Sequence, residues 1–457
     1  MIYWDRRSDT MRFQSLYHML SYWASESGQA PALVFEAEGE KRTLTYFELF
    51  DAVQRRANEL SAGGRTSLGI LADGSLECVV TIMSSIVSGM QTVLLDENTP
   101  DALLKGYIAY TDIDCLWASD PELTDEFSAY LTSGVKNGGG KVLFFTSGTT
   151  SRSKAVVLTD ESLMSSAYNG GSLLPLAPGD VLLCQLPLNH VFGFVCGLLW
   201  ALSCGAAVAL GRGARHYLDD CSFFAPTAVS VVPLLLGFLL KHSVLNREMR
   251  LVLIGAGDCP HQLIDACASM GLRVSFGYGL TETSSGVALS LGDDPYAMTV
   301  CPDDEITIAD DGEILISAPT CIMEGYYKMP DATREVIRGG ILHTGDLGFF
   351  DERGLLHVSG RKKEMLVLSD GTKVFLPEYE SELSAVLHGR DLAVCERNGS
   401  PVLVIRGRPG EREAVLAAIK PVMELRPRGQ QIKDVIFTPS PLPRTSTGKI
   451  KRWELNL

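Results

Sequence analysis

Short apolar runs alternate with longer segments of helical periodicity along most of the chain. The runs Ser67–Ala72 and Gln91–Leu95 lie on either side of the apolar segment Leu76–Met90. This order predicts two strands with a helix between them, which is the βαβ unit of a parallel sheet. A similar alternation returns between Ala228 and Tyr278. The pattern therefore predicts an α/β protein in which helices cover mixed or parallel sheets.

Local signals predict where several elements begin. Thr45 precedes an amphipathic segment and Glu48 follows at capping-box spacing, which predicts a helix start. Asp160 is predicted to cap a helix that begins at Glu161. The polar stretch 121–140 is predicted to be a loop. Asn398-Gly399 lies between two apolar runs and predicts a β-hairpin in the last hundred residues.

The segment Val191–Leu210 carries no charge over a length that could span a bilayer. A break at Gly205 and a tail that favours β structure argue against a membrane helix. We expect a buried helix to about Ser203, followed by a strand over Ala206–Leu210.

Composition narrows the class of protein. The 457 residues suggest two or three domains, and the net charge of −15 argues against nucleic acid as the main partner. Eleven cysteines without Cys-x-x-Cys spacing indicate reduced thiols rather than a disulfide frame or a zinc site. The first ten residues lack an apolar signal core, so a cytoplasmic protein is expected.

The most informative stretch is the loop Thr146–Lys154, which lies between the apolar runs Val142–Phe145 and Ala155–Leu158. The short runs predict two strands. Hydroxyl groups, a lysine and exposed backbone N–H groups suit a polyphosphate ligand. No Gly-Lys-Ser/Thr ends the loop and a strand follows it, so it is not a Walker A loop. A polar hairpin without a ligand is the alternative interpretation.

The sequence Thr146-Ser-Gly-Thr-Thr150, followed by Lys154, resembles the phosphate loop of the adenylate-forming superfamily, which includes acyl-CoA synthetases, adenylation domains and luciferases. The loop departs from the family pattern because Ser151, Ser153 and Ala155 replace two glycines and a proline. Further stretches that resemble family motifs follow in the family's order: Tyr278–Glu282, Thr344–Asp346, Gly360–Arg361 and Pro443–Lys449. The resemblance covers essentially the whole chain.

The resemblance implies a set of site residues. It implies ATP or AMP contacts from Thr146, Ser147, Gly148, Thr149, Thr150, Lys154, Gly255, Ala256, Gly257, Tyr278, Gly279, Asp346 and Arg361. It implies an acyl pocket lined by His190, Val191, Phe192 and Gly277. It implies catalytic roles for Lys449, Glu282 and Thr281, Mg²⁺ binding by Glu282 and Thr149, and a hinge at Lys363.

The resemblance also implies an architecture and an activity. A large N-terminal domain, residues 1–360, is expected to be joined by a hinge to a small α+β C-terminal domain, residues 361–457. The expected reaction activates a carboxylic acid with ATP and Mg²⁺ to an acyl-AMP, releases pyrophosphate and passes the acyl group to a thiol, most simply CoA. The segment 342–371 looks most like fatty acyl-CoA synthetases, and a fatty or aryl acid is expected.

Three alternatives stay open. The acyl group could pass to the phosphopantetheine of an acyl carrier protein, for which Arg406, Arg408, Arg426 and Arg428 could form a basic patch. The acid could be an amino acid, although no Asp or Glu lies between Asp180 and Asp219 to pair with its ammonium group. The chain could also be a nucleotide-binding regulator without turnover, because its phosphate loop is altered.

Overall fold

The structure is a computed structural model, and it describes residues 11–135, 140–146, 154–257, 259–292, 294–367, 373–398, 400–444 and 450–455. Its α-helices are α1 Leu16–Glu26, α2 Tyr46–Ala62, α3 Leu76–Val87, α4 Asp101–Tyr110, α5 Pro121–Phe127, α6 Asp160–Leu173, α7 Val191–Phe194, α8 Trp200–Ser203, α9 Asp220–Phe224, α10 Pro233–Lys241, α11 His261–Ser269, α12 Pro330–Val336, α13 Leu376–Val386 and α14 Arg412–Glu424.

The strands that precede Glu282 are β1 Pro31–Ala37, β2 Glu40–Thr45, β3 Ser67–Ala72, β4 Gln91–Asp96, β5 Cys115–Trp117, β6 Lys141–Phe145, β7 Ala155–Thr159, β8 Val181–Cys184, β9 Ala207–Leu210, β10 Ala228–Val231, β11 Leu251–Ile254 and β12 Arg273–Leu280. The strands that follow it are β13 Ser285–Ser290, β14 Met298–Val300, β15 Glu305–Ile308, β16 Glu313–Ser317, β17 Gly325–Tyr326, β18 Ile337–Arg338, β19 Ile341–Phe350, β20 Leu356–Arg361, β21 Met365–Val367, β22 Lys373–Phe375, β23 Leu392–Arg397, β24 Ser400–Arg406 and β25 Asp434–Thr438.

Two large sheets form most of the fold. The first contains fourteen strands in the order β15-β16-β19-β20-β14-β13-β12-β11-β10-β8-β9-β1-β2, with β18 beside β19. Its strands β9, β8, β10, β11 and β12 run parallel, so their carboxyl ends lie at one edge of the sheet. The second sheet has the order β17-β7-β6-β4-β3-β5. The predicted α/β class with mixed and parallel sheets is confirmed.

A smaller α+β unit follows the large sheets. Strands β23, β24 and β25 form a three-stranded sheet, and α13 and α14 pack on it through a separate apolar core. The hairpin predicted at Asn398 is present between β23 and β24. A large sheet-containing part and a smaller C-terminal part are therefore confirmed, and the boundary at residues 360 and 361 stays a prediction.

The predicted helix start at Thr45 is confirmed. Its side chain accepts a hydrogen bond from the Glu48 backbone N–H at 3.3 Å, and the Glu48 carboxylate accepts one from the Thr45 N–H at 2.8 Å. The prediction for Asp160 is wrong, because Thr159 caps α6 and Asp160 lies in its first turn. Asp160 instead accepts a hydrogen bond from the Leu16 N–H at 2.8 Å.

Two further predictions need a correction or a refinement. Helix α5 lies inside the predicted loop 121–140; Asp120 caps it and Pro121 occupies its first turn. The uncharged segment is helical from Val191 to Ser203, as predicted, but Val195–Leu199 forms a π-helix within it. Strand β9 then follows. Among the described residues, no helix is both long and apolar enough to cross a membrane.

The eleven cysteines are all free thiols. Most are buried, and burial raises the pKa values of several of them, for example the pKa of Cys184 to about 12. The expectation of reduced thiols is consistent with this environment.

Candidate active site

The predicted phosphate hairpin is present. Strands β6 and β7 pair antiparallel, with Phe145 opposite Ala155. The Thr146 N–H donates to the Lys154 carbonyl oxygen at 2.9 Å, which closes the base of the loop. Ala155 lies in a strand and has no positive φ. The predicted phosphate contacts Ser147, Gly148, Thr149 and Thr150 lie outside the described residues.

A tyrosine connects this hairpin to the predicted metal ligand. The Nζ atom of Lys154 lies 4.2 Å from the ring centre of Tyr326, which is a cation–π contact. The Tyr326 hydroxyl donates to Oε1 of Glu282 at 2.7 Å. Tyr326 is 7% exposed, and burial together with the Glu282 charge raises the pKa of its phenol. The phenol therefore remains a neutral donor at physiological pH.

The backbone around Glu282 is sharply turned. Thr281–Thr283 forms a 3₁₀ turn directly after β12, and the next two residues, Ser284 and Ser285, have φ values of 54° and 112°. Gly279 faces the Ser285 carbonyl oxygen, and a Cβ atom there would collide with it. This close approach explains why glycine follows Tyr278 and how the turn presents Glu282 at the strand end.

A second group of contacts joins Tyr278, Asp346 and Arg361. Asp346 lies opposite Arg361 in the β19–β20 register. The Arg361 Nε donates to Oδ1 of Asp346 at 2.9 Å, and the Tyr278 hydroxyl donates to Oδ2 at 3.0 Å. Asp346 is only 4% exposed, so a buried charge is paired as electrostatics requires. Burial, and then the neighbouring Asp346 charge, raise the pKa of Tyr278.

The turn after β11 faces the segment predicted to line the acyl pocket. A Cβ atom at Gly255 would lie 2.7 Å from Cζ of Phe192, so only glycine lets this ring lie against the turn. Ala256 adopts φ +63°, a conformation that costs energy for a residue with a side chain. His190 precedes α7, and burial lowers its pKa, although Asp96 opposes that change.

The helical segment that follows Phe192 packs tightly against the neighbouring strands. The Cys196 Sγ lies 3.3 Å from the Ser285 Oγ, and Leu289 packs beside Gly277. A cavity of about 20 Å³ remains there, with Cys196, Leu253 and Leu289 among its lining residues. This space holds no more than one or two solvent-sized groups.

The structure thus brings together many of the residues singled out from the sequence. Lys154 and Glu282 meet through Tyr326, Tyr278 meets Asp346 and Arg361, and Phe192 meets Gly255. Lys449 lies outside the described residues, and Lys363 is in the 3₁₀ turn Lys362–Glu364 without a described side chain. Sequence reasoning assigned no role to Tyr326, because its contact with Glu282 arises only when β17 pairs with β7.

The residues present fit Mg²⁺ that arrives with a nucleotide. Among the described residues, no group of three or more His, Cys, Asp or Glu side chains could hold a metal ion. Mg²⁺ is usually bound through one or two carboxylates, with substrate phosphates and water completing its shell. Glu282 offers such a carboxylate close to the phosphate hairpin.

Comparison with known proteins supports the class that the site suggests. Residues 140–327 match the family described as AMP-binding enzyme. This match covers less than half of the chain, and it agrees with the resemblance to the adenylate-forming superfamily that the sequence motifs show.

Relatives with curated names point in the same direction. The chain is 27% identical to the 2-succinylbenzoate--CoA ligase of Bacillus cytotoxicus over 385 residues, which are 76% of this chain and 79% of that protein. It is also 27% identical to the ligase of the same name from Bacillus cereus, over 384 residues and the same two shares.

Solved structures share the fold. The AMP complex of O-succinylbenzoate Coenzyme A synthetase (MenE) from Bacillus subtilis has a TM-score of 0.82 at 23% identity and covers 97% of this chain and 98% of its own. ATP-bound MatB from Rhodopseudomonas palustris has a TM-score of 0.80 at 22% identity, with the same coverage. At these identities the likeness shows the fold.

Proposed function

We propose that this protein activates a carboxylic acid with ATP to an acyl-AMP and then transfers the acyl group to the thiol of CoA. One observation carries the proposal. Residues from widely separated motifs meet in two contact groups, Lys154–Tyr326–Glu282 and Tyr278–Asp346–Arg361, at the carboxyl end of β12. The ligase names of the relatives support the same reaction.

The reaction has two steps. In the first, a carboxylate oxygen attacks the α-phosphorus of ATP, the bond to the β-phosphate breaks and pyrophosphate leaves. In the second, the thiol sulfur attacks the acyl carbon and loses its proton, and AMP leaves. Negative charge grows on the phosphate oxygens during the first step, so fixed cations and hydrogen-bond donors there lower its barrier.

We assign the nucleotide contacts accordingly. The backbone of Gly255–Gly257 and the ring of Tyr278 contact adenine. Asp346 accepts hydrogen bonds from the ribose hydroxyls, which replace the hydrogen bonds that it now accepts from Arg361 and Tyr278. A carboxylate suits this task because it is a pure acceptor. Lys154 and Thr281 bind phosphate oxygens. Glu282 would hold Mg²⁺, which neutralises phosphate charge when bound, and Lys449 is the proposed lysine at the α-phosphate.

The acid is proposed to have an uncharged tail. The segments around the pocket, residues 190–211, 251–272 and 274–327, contain no Lys or Arg. His190 stays neutral near pH 7 because burial lowers its pKa. A second carboxylate would lose water there without a Lys or Arg of these segments to pair with, and an α-ammonium group would find no Asp or Glu between Asp180 and Asp219. Fatty and aryl monocarboxylates are therefore the proposed substrates; the acid in the relatives' names, 2-succinylbenzoate, is also an aryl acid but carries a second carboxylate.

CoA is preferred over a carrier protein as the acceptor. Of the four arginines that could form a basic patch, Arg426 is already engaged: it donates to Glu382 at 2.6 Å and its guanidinium lies 4.0 Å from the ring centre of Tyr379. Its side chain is only 16% exposed. The guanidinium of Arg426 is thus paired within the protein and little exposed to an acidic carrier protein.

A pyrophosphate-release screen tests the proposal. The panel contains fatty, aryl, dicarboxylic and amino acids, each with and without CoA or a phosphopantetheinylated carrier protein. We expect release with uncharged monocarboxylates and thioester formation with CoA. An amino acid that outperforms every fatty and aryl acid would contradict the proposed pocket. ATP binding by calorimetry without release for any acid would instead favour a non-catalytic regulator.

A further inference from the structure

Tyr326 lies between the lysine of the phosphate hairpin and the carboxylate proposed to bind the metal. Its ring faces Lys154 and its hydroxyl bonds to Glu282. The ion pairs of the described residues include none between Lys154 and Glu282. The phenol of Tyr326 therefore lies between the ammonium group of Lys154 and the carboxylate of Glu282 and separates them.

The position of Tyr326 is fixed by its backbone. Tyr326 lies opposite Val156 in the β17–β7 pair, and its N–H donates to the Thr333 Oγ1 at 2.9 Å. The next residue, Tyr327, donates its N–H to the Ala155 carbonyl at 2.8 Å. A phenol held in this way places its hydroxyl at a defined point. The fold has already ordered this side chain, so little conformational entropy is lost when a ligand binds.

The turn that carries Glu282 is fastened to the same segment. The Met323 N–H donates to the Glu282 carbonyl oxygen at 2.8 Å. Backbone and side chain of Glu282 are thus both held by the segment 323–326. The hydrogen bond to Oε1 restricts the rotation of the carboxylate and uses one lone pair of that oxygen, which leaves both lone pairs of Oε2 for a metal.

We propose that Tyr326 is a positioning residue, whose hydroxyl aims the Glu282 carboxylate at the Mg²⁺ that accompanies ATP. This inference rests on the proposed function only in its assignment of Glu282 to the metal. Groups that orient metal ligands through hydrogen bonds commonly contribute about 10- to 100-fold to metal affinity or activity. The ring itself remains necessary as the spacer beside Lys154.

The adjacent tyrosine provides a matched control. The Tyr327 hydroxyl also donates to a carboxylate oxygen, Oδ2 of Asp112, at 2.7 Å. Asp112 retains a second partner in Lys328. Tyr326→Phe and Tyr327→Phe each remove one phenol hydroxyl that bonds a carboxylate in the same segment, but only the first lies beside the proposed metal ligand.

The test measures metal binding directly as well as catalysis. Mn²⁺ binding to the protein–ATP complex is followed by electron paramagnetic resonance, and the Mg²⁺ dependence of pyrophosphate release is followed separately. Tyr326→Phe is expected to raise the metal concentration for half-saturation by about 10-fold in both measurements. Tyr327→Phe is expected to stay within twofold of the parent protein.

A double-variant cycle separates positioning from a general loss of structure. In a Glu282→Gln background, adding Tyr326→Phe should change metal binding no further. The inference is overturned if the two tyrosine variants shift metal binding equally, or if Tyr326→Phe still weakens it without Glu282. Mn²⁺–ATP binding reports on Tyr326 even if no acid is turned over, so failure of the proposed reaction is a separate result.

Discussion

Asp346 shows what a single residue contributes to the site. It is almost fully buried and is held by Arg361 and Tyr278. Because its ionised carboxylate can only accept hydrogen bonds, it favours a ligand that offers hydroxyl donors. Replacing the carboxylate by an amide keeps the shape but loses the charge, and turns an N–H₂ group towards one of these donors.

We therefore expect Asp346→Asn to raise the KM for ATP by about 10- to 100-fold, since hydrogen bonds to a charged group contribute about 1.5–3 kcal/mol. Asp351→Asn is the control, because Asp351 bonds Arg353 in the turn of the same hairpin. Steady-state kinetics with varied ATP distinguishes them. A KM for ATP that changes less than twofold in Asp346→Asn would remove this residue from the nucleotide site.

Phe192 is the residue expected to set the size of the acid. Its ring lies against Gly255, in the turn after β11. Phe192→Ala should raise kcat/KM for bulky acids relative to small ones by at least about 10-fold, because a pocket changed by one or more methylenes discriminates by about 1–3 kcal/mol. Phe223→Ala is a control away from this turn. An unchanged ranking of acids in Phe192→Ala would contradict the assigned pocket.

At the scale of elements, the sequence predicts well whatever depends on local contacts. The capping box at Thr45 was predictable because both of its partners lie within one turn. Helix α5 had a readable signal too, since Asp120 and Pro121 are typical of a helix start, but the polarity of the stretch concealed it. The βαβ order of β3, α3 and β4 followed from hydrophobic periodicity alone.

Contacts between distant segments were not predictable in this way. Asp160 was assigned to a helix cap, yet it receives the Leu16 N–H from 144 residues away. Tyr326 meets Glu282 only through the pairing of β17 with β7. A single sequence carries no local signal for either contact. The resemblance supplied the candidate site, and the structure supplied the contacts that join its parts.

The contact between α1 and α6 makes a prediction about pH. Burial raises the pKa of Asp160 from 3.8 to about 6, because the ionised form loses water. The native state thus prefers protonated Asp160. The contribution of this group to the free energy of unfolding is fully present below pH 4 and is lost as the pH rises through about 6.

Asp160→Asn removes the charge and keeps an acceptor for Leu16. The difference in the free energy of unfolding between the variant and the parent should therefore be about 1–3 kcal/mol more favourable to the variant at pH 8 than at pH 4. Urea unfolding at both pH values measures this gain. Glu161→Gln, an exposed change in the same helical turn, is the control. A gain equal to that of the control would show that Asp160 is not responsible.

At the scale of the whole molecule, we propose that the two half-reactions use two arrangements of the large part and the small part. The small part has its own sheet and its own apolar core, which is what a part that moves as a unit requires. The two half-reactions place different demands on the site, since charge grows at phosphate in one and a thiol must enter in the other. Lys449 is proposed to serve only the first.

Lys449→Ala should accordingly slow acyl-AMP formation by about a hundred- to a thousand-fold, the usual effect of losing one preorganised donor to developing charge. Thioester formation from supplied acyl-AMP should remain within a few-fold of the parent rate. Pyrophosphate release and consumption of synthetic acyl-AMP measure the two steps. Lys451→Ala is a nearby control that loses an ion pair with Glu454. Equal losses of rate in both half-reactions would argue against two alternating arrangements of the large and small parts.

The pairing of β17 with β7 has a consequence for how the protein is made. The phosphate hairpin ends at Thr159, but the strand that borders it and supplies Tyr326 is synthesised more than 160 residues later. A nascent chain still attached to the ribosome therefore carries its phosphate loop long before the segment that completes the site. Nucleotide binding should thus appear late in translation, and a product truncated before Gly325 should neither bind ATP tightly nor release pyrophosphate.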